Sequence, residues 1–88
     1  MTDTSRIIAR EVTRLLREER IGAGLSIYRV AKKSGVSQQM IGYVERGMRN
    51  PTLDTLLRIA GALNVDLWKL IKRAQNALHR GARSKHQI

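Results

Sequence analysis

Residues 27–46, with the sequence IYRVAKKSGVSQQMIGYVER, have the pattern of two short helices joined by a tight turn. Ser26 and Ser37 each stand where a helix N-cap is expected. Ala31 supplies the small residue that steeply crossing helices need, and Gly35 supplies a turn residue that tolerates positive φ. Inward-facing apolar side chains are supplied by Val30, Val36, Ile41 and Val44. This stretch predicts a fold in which helix packs on helix.

A longer helix is predicted before this motif. It begins at a cap at Thr4 or Ser5 and ends at about Arg20, because Gly22 and Gly24 interrupt the pattern. One face carries the apolar residues Ile8, Val12, Leu15 and Leu16. Arginines occupy much of the remaining surface, at Arg6, Arg10, Arg14 and Arg17.

Two more helices are predicted after the motif, which makes an all-α chain of five helices. Thr52 caps the fourth helix, which ends near Asn64, and Asp66 caps the fifth, which ends at about Arg80. The apolar face of the fourth helix is predicted to contain Leu53, Leu56, Leu57, Ile59, Ala60 and Leu63. Residues 1–80 are therefore expected to form one domain, and residues 81–88 a basic, disordered tail.

Net charge is the strongest signal outside the motif. The 88 residues contain 17 Lys and Arg against 7 Asp and Glu, which leaves a formal charge of +10. Such an excess attracts polyanions. There is no cysteine, no apolar run of membrane-spanning length, no signal-peptide pattern and no catalytic or phosphate-binding motif. We expect a soluble, cytoplasmic, non-enzymatic protein without a cofactor.

The third predicted helix has one polar and one apolar side. At about 100° per residue, with Gln38 at zero, the polar side spans roughly 0–140° and the apolar side roughly 200–300°. The polar side contains Gln38, Gln39, Gly42, Tyr43 and Arg46, and the apolar side contains Met40, Ile41 and Val44. A glutamine amide can donate to and accept from adenine at once in the major groove. This pattern predicts a helix whose apolar side packs against the protein and whose polar side reads DNA.

The chain resembles the Cro and phage-repressor type of helix-turn-helix family, also called the XRE family. The motifs that carry the resemblance are LLREER, GLS, VAKKSGVSQQMIGYVERGMRNPTL and LLRIAGALNVDLWKLI, within residues 15–71. The resemblance implies a five-helix lambda-repressor-like bundle with its helix-turn-helix at 27–46. It also implies a transcriptional regulator that binds a palindromic operator in double-stranded DNA as a homodimer.

The resemblance assigns roles to individual positions. It implies base reading by Gln38, Gln39 and Tyr43, and contacts to the backbone or groove edge by Arg46, Arg49 and Asn50. Ser37, at the start of the helix, belongs to the same expected DNA-binding set. Ile27 stands where many members have a phosphate-contacting glutamine, so Tyr28 or Arg29 is the alternative for that contact. Gly42 replaces a more usual serine and is expected to let the helix approach DNA closely.

Family members commonly pair the glutamate at position 45 with an arginine of the first helix. The resemblance therefore implies a structural ion pair between Glu45 and Arg17, with Arg20 as the alternative. The junction around residues 21–23 is about three residues longer than is typical, which affects the register of the first helix. This pair would hold the recognition helix rather than read DNA.

Trp68 projects away from the stripe formed by Leu67, Leu70 and Ala74. Exposed tryptophan is favoured at interfaces, so Trp68, Ile71 and Gln75 are the predicted dimer contacts. In the alternative interpretation, Trp68 covers one end of a small core.

Two other functions remain open at this stage. A helix-turn-helix can act mainly as a protein-binding adaptor, such as the antitoxin of a toxin–antitoxin pair or a restriction–modification controller. The charge alone is also compatible with binding of RNA or the ribosome. The leading interpretation is a repressor or autoregulator that acts at the nucleoid.

Overall fold

The computed structural model describes residues 3–86, with side chains described for residues 3–80. Within these residues the chain forms five helices and no strand. The helices are α1 (Asp3–Gly22), α2 (Ile27–Ser34), α3 (Gln38–Glu45), α4 (Leu53–Ala62) and α5 (Leu67–His86). The predicted all-α fold and the order of its five helices are confirmed.

Local capping chemistry accounts for most of the helix boundaries. The side-chain oxygens of Ser26, Ser37 and Thr52 each accept a hydrogen bond from the backbone N–H three residues later. Each of these bonds satisfies an N–H group that has no partner within its helix. Gly35 ends α2 with φ of 75°, and Asn64 follows α4 with φ of 57°. These five predicted positions therefore lie where the sequence pattern places them.

The ends of the two outer helices differ from the prediction. α1 extends to Gly22 rather than ending at about Arg20, and α5 continues to His86 rather than ending at about Arg80. Residues 81–86 are therefore helical, whereas the sequence predicted a disordered tail.

One hydrophobic core joins all five helices. α1 packs against α5 and α3, while α2 packs against α3 and α4. The buried apolar residues are Val12, Leu15, Leu16, Val30, Ile41, Val44, Ile59, Ala60, Leu63, Leu67, Leu70 and Ala74. Because α3 contacts both α1 and α2, its orientation is determined from two sides.

The apolar face of α4 is only partly buried. Ile59, Ala60 and Leu63 lie in the core, but Leu53 is 62% exposed and Leu57 is 52% exposed. Leu53 and Leu57 thus belong to the predicted apolar face of α4 but lie outside the core. The six apolar residues of α4 cover an arc of about 160° around the helix, whereas a helix packed on a single core needs about 100°. Leu53 and Leu57 lie together at the edge of this arc.

Candidate nucleic-acid interface

The front of α3 faces solvent and its back is buried. Ile41 and Val44 have no exposed surface, whereas Gln38 and Gln39 are exposed. Ser37, which caps the helix, is also exposed. The helix therefore presents its first turn outward, which is the part of a recognition helix that usually contacts base edges.

Gln39 is held in place by Tyr43, one turn later on the same face. The Gln39 Nε2 group donates a hydrogen bond of 2.7 Å to the Tyr43 hydroxyl oxygen. The amide keeps a second N–H and its carbonyl oxygen free, and these are the donor and acceptor that a bidentate contact to adenine uses. This hydrogen bond therefore orients the amide without consuming the groups that would read a base.

Two arginines flank the Tyr43 ring. The guanidinium carbons of Arg46 and Arg49 lie 5.7 Å and 5.2 Å from the ring centre, within the range of a cation–π contact. Arg46 belongs to the end of α3 and Arg49 to the loop that follows. Two positive charges therefore lie beside the phenol ring, at the edge of the outward face of α3.

Gly42 lies beneath the Arg46 side chain. It is buried, and a Cβ atom at this position would lie 3.4 Å from the Nη1 atom of Arg46. The Arg46 side chain therefore folds back over the bare backbone of Gly42. A Cβ atom at this distance would be in ordinary van der Waals contact with the guanidinium, and close approach of Gly42 to DNA stays a prediction.

The remaining predicted DNA-binding residues lie around this face. Arg29 is exposed in the first turn of α2, and Asn50 is exposed in the loop after α3. Asn50 and Arg49 line one cleft together with Arg6 and Arg10 from α1. The sequence analysis placed Arg6 and Arg10 only on the polar side of α1, and no local pattern indicates that they lie beside this loop.

The ion pair that holds α3 uses Arg20 rather than Arg17 as its main partner. Arg20 Nε and Nη2 donate to the two carboxylate oxygens of Glu45 at 2.7 Å and 2.9 Å. Arg17 approaches the same carboxylate only to 3.8 Å. The predicted pair with Arg17 is therefore present at the longer distance, and Arg20, the alternative in the sequence analysis, is the main partner. The continuation of α1 to Gly22 brings Arg20, one turn nearer the motif, opposite Glu45.

Both members of this pair are largely removed from solvent. The side chain of Glu45 is 8% exposed and that of Arg20 is 14% exposed. Arg20 Nη1 also donates to the carbonyl oxygen of Leu25 at 2.9 Å. The hydrogen bonds to Glu45 raise the pKa of Arg20 above its ordinary value. The guanidinium thus joins α1, the loop before α2 and the recognition helix.

An apolar surface lies on the other side of the molecule, between α4 and α5. Trp68 is 61% exposed, as predicted. Trp68 and Ile71 line a cleft of about 480 Å³ together with Leu53 and Leu57. Gln75 is exposed but does not line this cleft. The structure thus brings together two of the three predicted dimer residues and adds two leucines from the apolar face of α4.

Other kinds of site receive no support from the described residues. Among them, no group of three or more histidine, aspartate or glutamate side chains is arranged to hold a metal ion. No helix within residues 3–86 combines the length and the hydropathy needed to cross a membrane.

Known proteins with similar sequences share this motif. Residues 16–67 match the helix-turn-helix family. Over 70 residues, or 80% of the chain, the sequence is 39% identical to the HTH-type transcriptional regulator SutR of Escherichia coli. The chain spans only 39% of the length of SutR. It is also 39% identical over 69 residues to the uncharacterised HTH-type transcriptional regulator y4dJ of Sinorhizobium fredii, covering 78% of this chain and 84% of that protein.

A solved structure with the same fold adds to this comparison. The restriction-modification controller protein C.AhdI of Aeromonas hydrophila superposes with a TM-score of 0.65 and 36% sequence identity. The match covers 72% of this chain and 94% of that protein. The capped helix pair, the outward polar face of α3 and these similarities lead to one conclusion: the chain belongs to the XRE-type helix-turn-helix family of transcriptional regulators.

Proposed function

We propose that the chain is a sequence-specific regulator of transcription, a repressor or autoregulator, that inserts α3 into the major groove of double-stranded DNA. The observation that carries this proposal is the exposed amide of Gln39, hydrogen-bonded to the half-buried Tyr43, on the outward face of a helix whose Ile41 and Val44 are fully buried. A major groove is wide enough to admit one α-helix and presents a distinct pattern of donors and acceptors for each base pair. A regulator of this kind acts in the cytoplasm, at the nucleoid.

The proposed complex contains two copies of the chain. A helix-turn-helix dimer reads two half-sites about one helical turn apart, so its operator is a palindrome. The cleft between α4 and α5 supports this arrangement, because Leu53, Leu57 and Trp68 expose apolar surface on a small domain. Selection of bound sequences from random duplex DNA tests the proposal, because it reports sequence preference, palindromy and half-site spacing together.

Gln39→Ala is expected to relax the choice at one base pair of each half-site by about 1–3 kcal/mol. The substitution removes the amide that Tyr43 orients toward the groove. The measurement is a competition between the selected duplex and duplexes changed at single positions. Asn76→Ala removes another exposed amide, on α5, and serves as the matched control. Equal weakening of selected and random duplexes by Gln39→Ala would remove the base-reading role.

Arg49→Ala is expected to act differently, because a guanidinium beside the Tyr43 ring contacts phosphate rather than a base edge. It should weaken all duplexes alike and reduce the slope of log K against log salt by about one unit. Titrations at several salt concentrations with a selected and a random duplex measure this effect. A change in base preference with an unchanged slope would show that Arg49 reads sequence instead.

A second candidate function is control of a restriction–modification system. It is favoured by the similarity to the restriction-modification controller protein C.AhdI. A controller would bind DNA through the same face of α3 as the regulator proposed above, and only the regulated genes would differ. A restriction endonuclease or methyltransferase gene beside the coding gene, with the selected operator between them, would support the controller function.

A further inference from the structure

A positively charged cleft lies beside the recognition helix, between the first turns of α1 and the loop after α3. Its volume is about 240 Å³, and it is lined by Arg6, Arg10, Gly47, Met48, Arg49 and Asn50. Three of these residues are arginines and none carries a carboxylate. The cleft therefore concentrates positive charge with no acidic residue in its lining.

The Arg10 side chain of α1 lies against Gly47 in the loop after α3. Gly47 has φ of 70°, and a Cβ atom at this position would overlap the Arg10 guanidinium. Arg10 therefore packs against a stretch of backbone that only glycine leaves open. This contact places a side chain from the beginning of α1 beside residues that follow the recognition helix.

The arginines of the cleft differ from their neighbour on the same helix face. Arg14, one turn after Arg10, forms ion pairs with Glu11 and Glu18. Among the described residues, no carboxylate lies within ion-pair distance of Arg6, Arg10 or Arg49. The positive charge of the cleft is thus available to an anion from outside the chain.

The cleft is continuous with the proposed DNA-reading face through Arg49. The same guanidinium that lines the cleft lies 5.2 Å from the centre of the Tyr43 ring. A strand whose bases are read by α3 would pass this loop with its phosphates. The match to the helix-turn-helix family begins at residue 16, so the two arginines of α1 lie outside the matched segment.

We propose that Arg6 and Arg10 form, together with Arg49, a second binding site for the phosphodiester backbone, at the flank of the groove that α3 enters. This site deepens the proposed function and rests on it. It contributes affinity and salt dependence but no base preference, because guanidinium–phosphate contacts carry no sequence information. The beginning of α1 thereby lengthens the stretch of DNA that one copy of the chain contacts.

The test is the double variant Arg6→Gln/Arg10→Gln, titrated with a selected and a random duplex between 50 and 200 mM salt. Each lost phosphate contact lowers the slope of log K against log salt by about 0.9, so the slope should fall by about two units per bound copy. The ratio of the affinities for the two duplexes should stay unchanged. Arg6→Lys/Arg10→Lys keeps both charges and should restore the slope.

The control is Arg73→Gln, which removes one charge from α5 outside the apolar cleft that contains Trp68, and its effect is compared per charge removed. Arg73 pairs with Glu19, 13 residues after Arg6, which is about 20 Å along α1. This distance exceeds the screening length, which falls from about 14 Å at 50 mM to about 7 Å at 200 mM salt. The control should change the slope by less than about half a unit, and circular dichroism confirms that all variants remain helical.

The outcomes separate this inference from the proposed function. The second phosphate site would be overturned if the slope of the Arg6/Arg10 glutamine variant were unchanged, or if the slope of the control fell equally per charge removed. In either case the proposed function would stand as long as the unaltered chain prefers the selected duplex. A fall in slope in a chain that prefers no duplex sequence would support the phosphate site and overturn sequence-specific regulation. A changed affinity ratio in the glutamine variant would show that these arginines read sequence.

Discussion

Glu45→Ala is expected to lower the free energy of unfolding by about 3–5 kcal/mol, the range found when one partner of a buried ion pair is removed. The substitution leaves the Arg20 guanidinium, which is 14% exposed, without its two hydrogen bonds to carboxylate oxygens. It also releases the link between α1 and the recognition helix. Chemical denaturation followed by circular dichroism measures the change.

Three further substitutions serve as comparisons for Glu45→Ala. Glu18→Ala removes a carboxylate that is 53% exposed and paired with Arg14 on the surface, and it should cost less than about 1 kcal/mol. Arg20→Ala should destabilise strongly, whereas Arg17→Ala should have a small effect because Arg17 is 55% exposed and 3.8 Å from Glu45. A loss of less than about 0.5 kcal/mol for Glu45→Ala would show that the pair does not hold the helix.

Trp68→Ala is expected to weaken self-association by at least about 2 kcal/mol, or about 30-fold in the dimer dissociation constant. Trp68 is 61% exposed at the apolar cleft between α4 and α5, so its ring is available to a second copy of the chain. Because the ring lies mostly outside the core, the variant should keep its fold. Sedimentation equilibrium across a concentration series measures the constant.

Tyr28→Ala is the matched control for this prediction. Tyr28 is another large aromatic residue, 50% exposed, and it lies on α2 rather than at the cleft. Its removal should leave the dimer constant unchanged in the absence of DNA. A chain that stays monomeric at high concentration, with the fluorescence of a solvated Trp68, would contradict the proposed dimer surface.

The helix order could be predicted because its signals are local. Ser26, Ser37 and Thr52 cap helices through bonds that span three residues, and Gly35 and Asn64 adopt positive φ in the turns. Each signal depends on a few neighbouring residues, so a linear pattern contains it. The outward face of α3 was predictable for the same reason, because helical periodicity alone separates Gln38 and Gln39 from Ile41 and Val44.

The features that the sequence did not predict depend on how distant segments meet. The choice of Arg20 over Arg17 depends on how far α1 continues before the loop, and a longer junction changes that register. The exposure of Leu53 and Leu57 depends on which part of a wide apolar arc α2 and α5 cover. The contact between Arg10 and Gly47 joins residues 37 positions apart, and neither residue type indicates the other.

The hydrogen bond between Gln39 and Tyr43 has a consequence for how such a regulator diverges. Because Gln38 and Gln39 add nothing to the core, mutations at these positions can redirect the protein to new operators with little loss in the free energy of unfolding. Positions 39 and 43 are not independent, however, since the phenol aims the amide. We expect homologues with altered operators to exchange these two residues as a pair, and engineered libraries to yield more functional binders when both positions are randomised together.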